Sequence, residues 1–197
     1  MSLRSILANK RLVAAASIPV AVIASGALVW QSSYSAFSAT TSNPTNNWAA
    51  GTVALSDDDA GTAMFSATNI KPGSTGTKCI AVTSTGSLAS TVKLYGTSYA
   101  TTNALAGSIN LSVEEGTGGT SSSCANFTGG TSVYSGTLAA FGTSKTAFAS
   151  GVGSWAPTGN GNETKSFKVT YTLPTTAPDS VQGGTASLGF TWESQNS

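Results

Sequence analysis

From about residue 53 onward, apolar and polar residues alternate with a period of two and almost nowhere with the period of a helix. Ile109, Leu111 and Val113 are separated by Asn110 and Ser112. Phe167, Val169, Tyr171 and Leu173 alternate with Lys168, Thr170 and Thr172, and Ala186, Leu188, Phe190 and Trp192 with Ser187, Gly189 and Thr191. Successive strand residues point to opposite faces, so these stretches predict strands with one buried and one wet side. Shorter runs at 53–55, 79–83, 91–95 and 131–134 predict further strands. Turn chemistry punctuates them at Lys71-Pro72-Gly73-Ser74, Ser84-Thr85-Gly86-Ser87, Gly116-Thr117-Gly118-Gly119 and Gly159-Asn160-Gly161-Asn162. Many strands without βαβ alternation predict an all-β, jelly-roll-like two-sheet sandwich. One short helix is expected within 138–149, which is Ala-rich and lacks Pro.

The N-terminus is of another kind. Arg4, Lys10 and Arg11 open the chain, and an apolar stretch over 12–30 follows, with no acid before Asp57. A basic start, an apolar middle and a small-residue exit predict a cleavable secretory signal over 1–35. Ser33 and Ser35 supply the compact side chains, placing the cut between Ser35 and Ala36. An uncleaved anchor is the alternative, because nineteen residues just span a bilayer; Pro19 and Gly26 weaken it. The remaining chain reads as a polar segment over 36–50 and a sandwich domain over 51–197. Residues 36–47 carry Pro44 and begin with the apolar pair Ala36-Phe37. They are either a frayed end or a strand that pairs elsewhere.

Composition then excludes classes of function. After the cut the chain keeps six Lys against eight acids, a net charge of −2, and no Arg. Recognition of phosphate leans on Arg forks and clustered cations, so nucleic acid and anionic lipid are not expected partners. Four Trp, five Tyr and seven Phe exclude a wholly disordered chain. The whole sequence lacks histidine, which removes His-dependent triads and helical zinc sites. No phosphate loop or nucleophile elbow occurs. Glu114, Glu115, Glu163 and Glu193 could be paired as glycosidase acids by type, but they sit by turns or strand ends and read as solvated. No catalytic residue and no cofactor is expected.

Two features remain. Cys79 and Cys124 are an even pair in an exported chain, which predicts a disulfide, with two free thiols as the alternative. Closing that interval would stabilise the fold by about 4 kcal/mol in the chain-entropy model. Asp57, Asp58 and Asp59 could contribute to a Ca²⁺ site, but they lack the alternate spacing of a dedicated loop, and a solvated turn is the simpler reading. The sequons at Asn110, Asn126 and Asn162 arise readily in so Ser/Thr-rich a sequence.

Three pieces, taken in order, resemble the TasA/camelysin family. They are AFSATTSNPTNNWAAGTVALS over 36–56, with its A-G-T-L/V-x-L element; Asn69-Ile70-Lys71-Pro72-Gly73-Ser74 followed by Ser84-Thr85-Gly86-Ser87-Leu88-Ala89; and Gln182-Gly183 followed by a final strand over 185–193. Residues 96–160 match no element of the family pattern, and Ser74 stands where that pattern has Asp. The resemblance implies a secreted jelly-roll subunit of an extracellular matrix fibre, trimmed by a signal peptidase of the SipW type. It also implies that the N-terminal segment of one subunit completes the sheet of the next, with Ala36, Phe37 and Trp48 as anchors in this chain. Strand addition works by main-chain hydrogen bonds, so a Ser/Thr-rich donor suffices. The partner expected is thus a second copy, besides the peptidase met during export. The family's protease label is not carried over, since histidine is missing. The alternatives are a monomeric adhesin-like binding module and, third, a camelysin-type protease.

Overall fold

A computed structural model describes the backbone of residues 38–42 and the chain over 53–196. The expected signal over 1–35, the cleavage pair Ser35 and Ala36, and the anchors Phe37 and Trp48 lie outside the described residues, as does most of the segment 36–50.

Among the described residues eight strands form two antiparallel sheets: β1 (Ser38–Ser42), β2 (Leu55–Asp57), β3 (Thr75–Ser84), β4 (Ser90–Thr101), β5 (Asn110–Thr117), β6 (Thr128–Thr137), β7 (Glu163–Thr172) and β8 (Ala186–Asn196). One sheet has the order β1-β8-β4, the other β2-β3-β7-β5-β6. Strands distant in sequence lie side by side, β8 between β1 and β4 and β7 between β3 and β5, so the jelly-roll-like sandwich expected from the alternation is what forms. A single helical turn, α1 (Leu105–Ser108), precedes β5, and α2 (Leu138–Ser144) follows β6.

The alternation sets the faces. Ile80 and Val82 of β3, Leu111 and Val113 of β5, and Phe167 and Val169 of β7 point inward, against Val92 and Leu94 of β4 and Trp192 of β8. Each large apolar side chain so buried contributes about 1.5–3 kcal/mol. Phe167 and Trp192 meet across the gap with ring centroids 5.4 Å apart. The outward faces explain the low charge: hydroxyls pair across strands, Thr75 with Thr172 at 3.0 Å, Thr77 with Thr170 at 3.0 Å and Thr83 with Thr164 at 2.9 Å. Such pairs add a few tenths of a kcal/mol each without any charge.

Several boundaries differ from expectation. The first sandwich strand begins at Leu55 rather than Val53, although Val53 is buried. β4 runs on to Thr101 through a register shift between Thr97 and Ala100, where Ser98 takes φ 52°. The helix stops at Ser144, because Thr143 and Ser144 turn their hydroxyls back onto the carbonyls of Ala139 and Ala140, and a separate 3-10 turn occupies Phe148–Ser150. The turns behave as read: Gly73 takes φ 90°, and Ser74 Oγ accepts the Lys71 N–H at 3.0 Å. Gly159 and Gly161 take φ 78° and 104°, conformations that suit glycine.

Candidate assembly site

The site begins with β8. Its partner β4 runs along its whole length on one side, whereas on the other side β1 covers only part of it, from Ser38 opposite Gln195 to Ser42 opposite Thr191. Residues 186–190 of β8 have no strand on that edge among the described residues. The smaller sheet, moreover, has three strands against five. At roughly 4.8 Å per strand, about 10 Å of the larger sheet's width lacks an opposing strand.

An open groove of about 940 Å³ lies beside this end of β8. Leu188 and Phe190 of β8, Leu111 of β5 and Tyr171 of β7 line it, and residues 63–72 form its other wall. Phe65 packs edge-on against Tyr171 at 5.2 Å between centroids. Tyr171 can lie across β3 because Gly76 stands beneath its ring, where a Cβ would collide. The floor is a second apolar cluster of Leu105, Ile109, Leu173 and Val181. Nearby, the buried indole Nε1 of Trp192, whose backbone faces Thr41 of β1, has no acceptor among the described residues.

The cysteines are joined: Cys79 and Cys124 form a disulfide with Cα atoms 5.4 Å apart. It lies on the outward face of the larger sheet and pins residues 118–127 across it. The same loop is held by Ser166 Oγ, which donates to the Gly119 carbonyl at 2.7 Å, and by Phe127, over which the Lys168 ammonium sits at 4.9 Å. Lys168 also pairs with Glu114.

The aspartates have structural partners. Asp57 ends β2 opposite Val82. Asp58 accepts the N–H of Ala81 at 2.9 Å and of Ser121 at 2.8 Å, tying the disulfide loop to β3, and Asp59 accepts the Gly61 N–H at 2.9 Å. Among the described residues no three of His, Cys, Asp and Glu gather into a group that could hold a metal.

The glutamates correct the sequence reading. Glu115 is not solvated: it is 5 % exposed and accepts Ser154 N–H at 2.9 Å and Ser154 Oγ–H at 3.0 Å. It shares the inward parity of Leu111 and Val113, which was the available signal. Glu163 binds Thr158 Oγ1 at 2.9 Å and the backbone N–H groups of Thr158 and Gly159, and the Thr158 hydroxyl above all holds its carboxyl below the ordinary value. Glu193 accepts the Tyr95 hydroxyl at 2.9 Å. Partial burial first, then that hydrogen bond and the carboxylate's charge, push the Tyr95 phenol up to about 12.

Comparison with known proteins covers the first two of the motif pieces and leaves the third, over 182–193, outside the match. The family model described as camelysin metallo-endopeptidase matches residues 9–112. None of the curated proteins compared matches the chain. The matched stretch takes in the Lys71–Ser74 turn, β3, β4 and the start of β5, more than half of the sequence. The chain belongs to the camelysin family, the TasA/camelysin group that its motifs resemble.

Proposed function

We propose that this chain is an exported structural subunit that polymerises into extracellular matrix or surface fibres by passing its N-terminal strand to the β8 edge of the next copy. The observation that carries this reading is the antiparallel register of the N-terminal strand β1 on β8, which among the described residues spans Thr191 to Gln195 beside an apolar groove. The β1–β8 ladder buries the same main-chain groups whether β1 comes from its own chain or from a neighbour, so exchange costs little in contacts. A head-to-tail contact that does not close on itself propagates as a filament. Carrying the register one residue back sets position 37 of a donor opposite Asn196, on the face shared with Trp192 and Ser194. On this reading Phe37 and Trp48 serve as the donor's anchors. Secretion and removal of residues 1–35 by a signal peptidase precede assembly on this reading, since cleavage frees the donor.

The family's name implies a catalytic metal, and the residues of this chain do not fit one. There is no histidine in the sequence. Glu114, Glu115, Glu163, Glu193 and Asp58 are each engaged by a cation, a hydroxyl or backbone N–H groups within the domain. We therefore derive no hydrolytic step and read the chain as non-enzymatic.

A second reading, a monomeric adhesin-like module, is favoured by one observation: β1 lies on its own β8. Negative-stain microscopy of protein beginning at Ala36 separates the two. Filaments that vanish when residues 36–47 are deleted support the polymer. A monodisperse monomer with β1 retained supports the module. Chelator-sensitive cleavage of casein would reinstate the protease.

A further inference from the structure

The described sheet edges are not equally protected. The outer edge of β4 is covered by residues 145–157, with Ser90 N–H donating to Pro157, Val92 to Trp155 and Leu94 to Val152. β2 is three residues long and leads into three aspartates. β6 is different. It forms the far edge of the larger sheet, ten residues long, and contains no charged residue and no proline. Its residues 128–132 are exposed. Long, uncharged edges present unpaired N–H and C=O groups to other strands.

We propose that β6 pairs with β6 of a second copy about a two-fold axis, joining two five-stranded sheets into one of ten strands. The register within the domain supplies the argument for a second copy. Ser135 lies opposite Ser112 and Ser132 opposite Glu114, so both serines face outward, although they are three residues apart. The shift between these pairs, at Val133, reverses the parity of the strand. Thr131 and Gly136 lie opposite Glu115 and Leu111, on the inward face. An antiparallel self-pairing with Ser132 opposite the second copy's Ser135 then matches the faces of Thr131, Ser132, Ser135 and Gly136. Gly130 meets Thr137 on the outer side, and Thr131 meets Gly136 on the inner side. Without the shift, outward residues would oppose inward ones. The outer row made in this way is of hydroxyl groups, like the rows the domain already forms between β3 and β7. The nearest carboxylate, Glu114, is neutralised by Lys168, so no like charges face each other across the axis. This pairing is isologous and stands independently of strand exchange through β1; in a filament it would join neighbouring fibres side by side.

The test uses the secreted chain and two double variants, S132K/S135K and S132E/S135E. In the proposed register residue 132 of each copy faces 135 of the other, so either variant sets two like-charged pairs across the axis. Sedimentation of wild type is expected to show two-fold dimers, or laterally paired filaments where filaments form. Each variant alone is expected to associate at least about tenfold more weakly. An equimolar mixture of the two is expected to restore association. A wild type without such pairing, variants that associate as it does, or a mixture that restores nothing would each overturn the proposal. Hydrogen exchange on the unmodified chain gives a second reading. Amides of Thr128–Thr137 should gain protection as concentration rises, and unchanged protection contradicts the pairing.

Discussion

Replacing Cys79 and Cys124 together by alanine tests how the disulfide loop is held. The bridge closes an interval of 45 residues between Cα atoms 5.4 Å apart. In the chain-entropy account, opening it returns about 4 kcal/mol of freedom to the unfolded chain. For a domain of this size each kcal/mol moves the melting temperature by about 2–4 °C, so a fall of roughly 8–16 °C is expected by calorimetry. The non-covalent ties from Asp58 to Ser121 and from Ser166 to Gly119 remain, so the folded loop keeps its place and the strand content by circular dichroism is unchanged. Asp58→Ala added to the double variant should then cost more than in the parent, because the loop has lost its other anchor. A melting shift below about 3 °C would refute the argument from loop closure, and would place the loop's stability in those hydrogen bonds alone.

Other perturbations follow from single contacts. Glu115→Ala leaves the Ser154 N–H without its acceptor and is expected to destabilise by roughly 2–4 kcal/mol in urea, with Glu115→Gln, which keeps one acceptor oxygen, losing about half as much. Gly116→Ala would press a Cβ to 2.6 Å from the Phe127 ring and onto the Thr128 carbonyl, and should lower stability by about 2 kcal/mol or more. The Tyr95 phenol, raised to about 12 from 10, favours its neutral form in the fold. Its contribution is therefore complete below pH 10 and is lost as pH rises toward 12, and Tyr95→Phe should flatten that part of the stability profile. Absorbance titration should show Tyr95 ionising late in the parent, as does Tyr134 through burial, and one late-ionising group fewer in the variant.

What the sequence revealed and what it hid divide on locality. β5, β7 and β8 were legible because their alternation is a property of neighbours in the chain. β4 was read short, since the register shift after Thr97 and the positive φ of Ser98 break the pattern without ending the strand. Glu115 stood at an inward position in an alternating run, yet charge outweighed parity in the reading; its partner Ser154 lies 39 residues away. Asp58 looked like part of a solvated acidic turn for the same reason, its partner Ser121 being 63 residues distant. The groove could not be read from any strand by itself. Its lining comes from β5, β7, β8 and the 63–72 segment together, a property of how distant pieces of the chain are assembled. The cysteine pair was legible because an even count, in a chain whose N-terminus reads as an export signal, points to a bridge.

The central claim is that the N-terminal strand is shared between copies. The most direct measurement mixes protein labelled with a heavy isotope and unlabelled protein, both beginning at Ala36, and cross-links a cysteine placed at Thr40 to one placed at Glu193, its partner in the β1–β8 register. Mass spectrometry then reads whether each link joins the same or different chains. The account predicts mixed-isotope links in material that forms filaments, and loss of the filaments when residues 36–47 are removed. Links confined to single chains, in protein that stays monomeric, would contradict it.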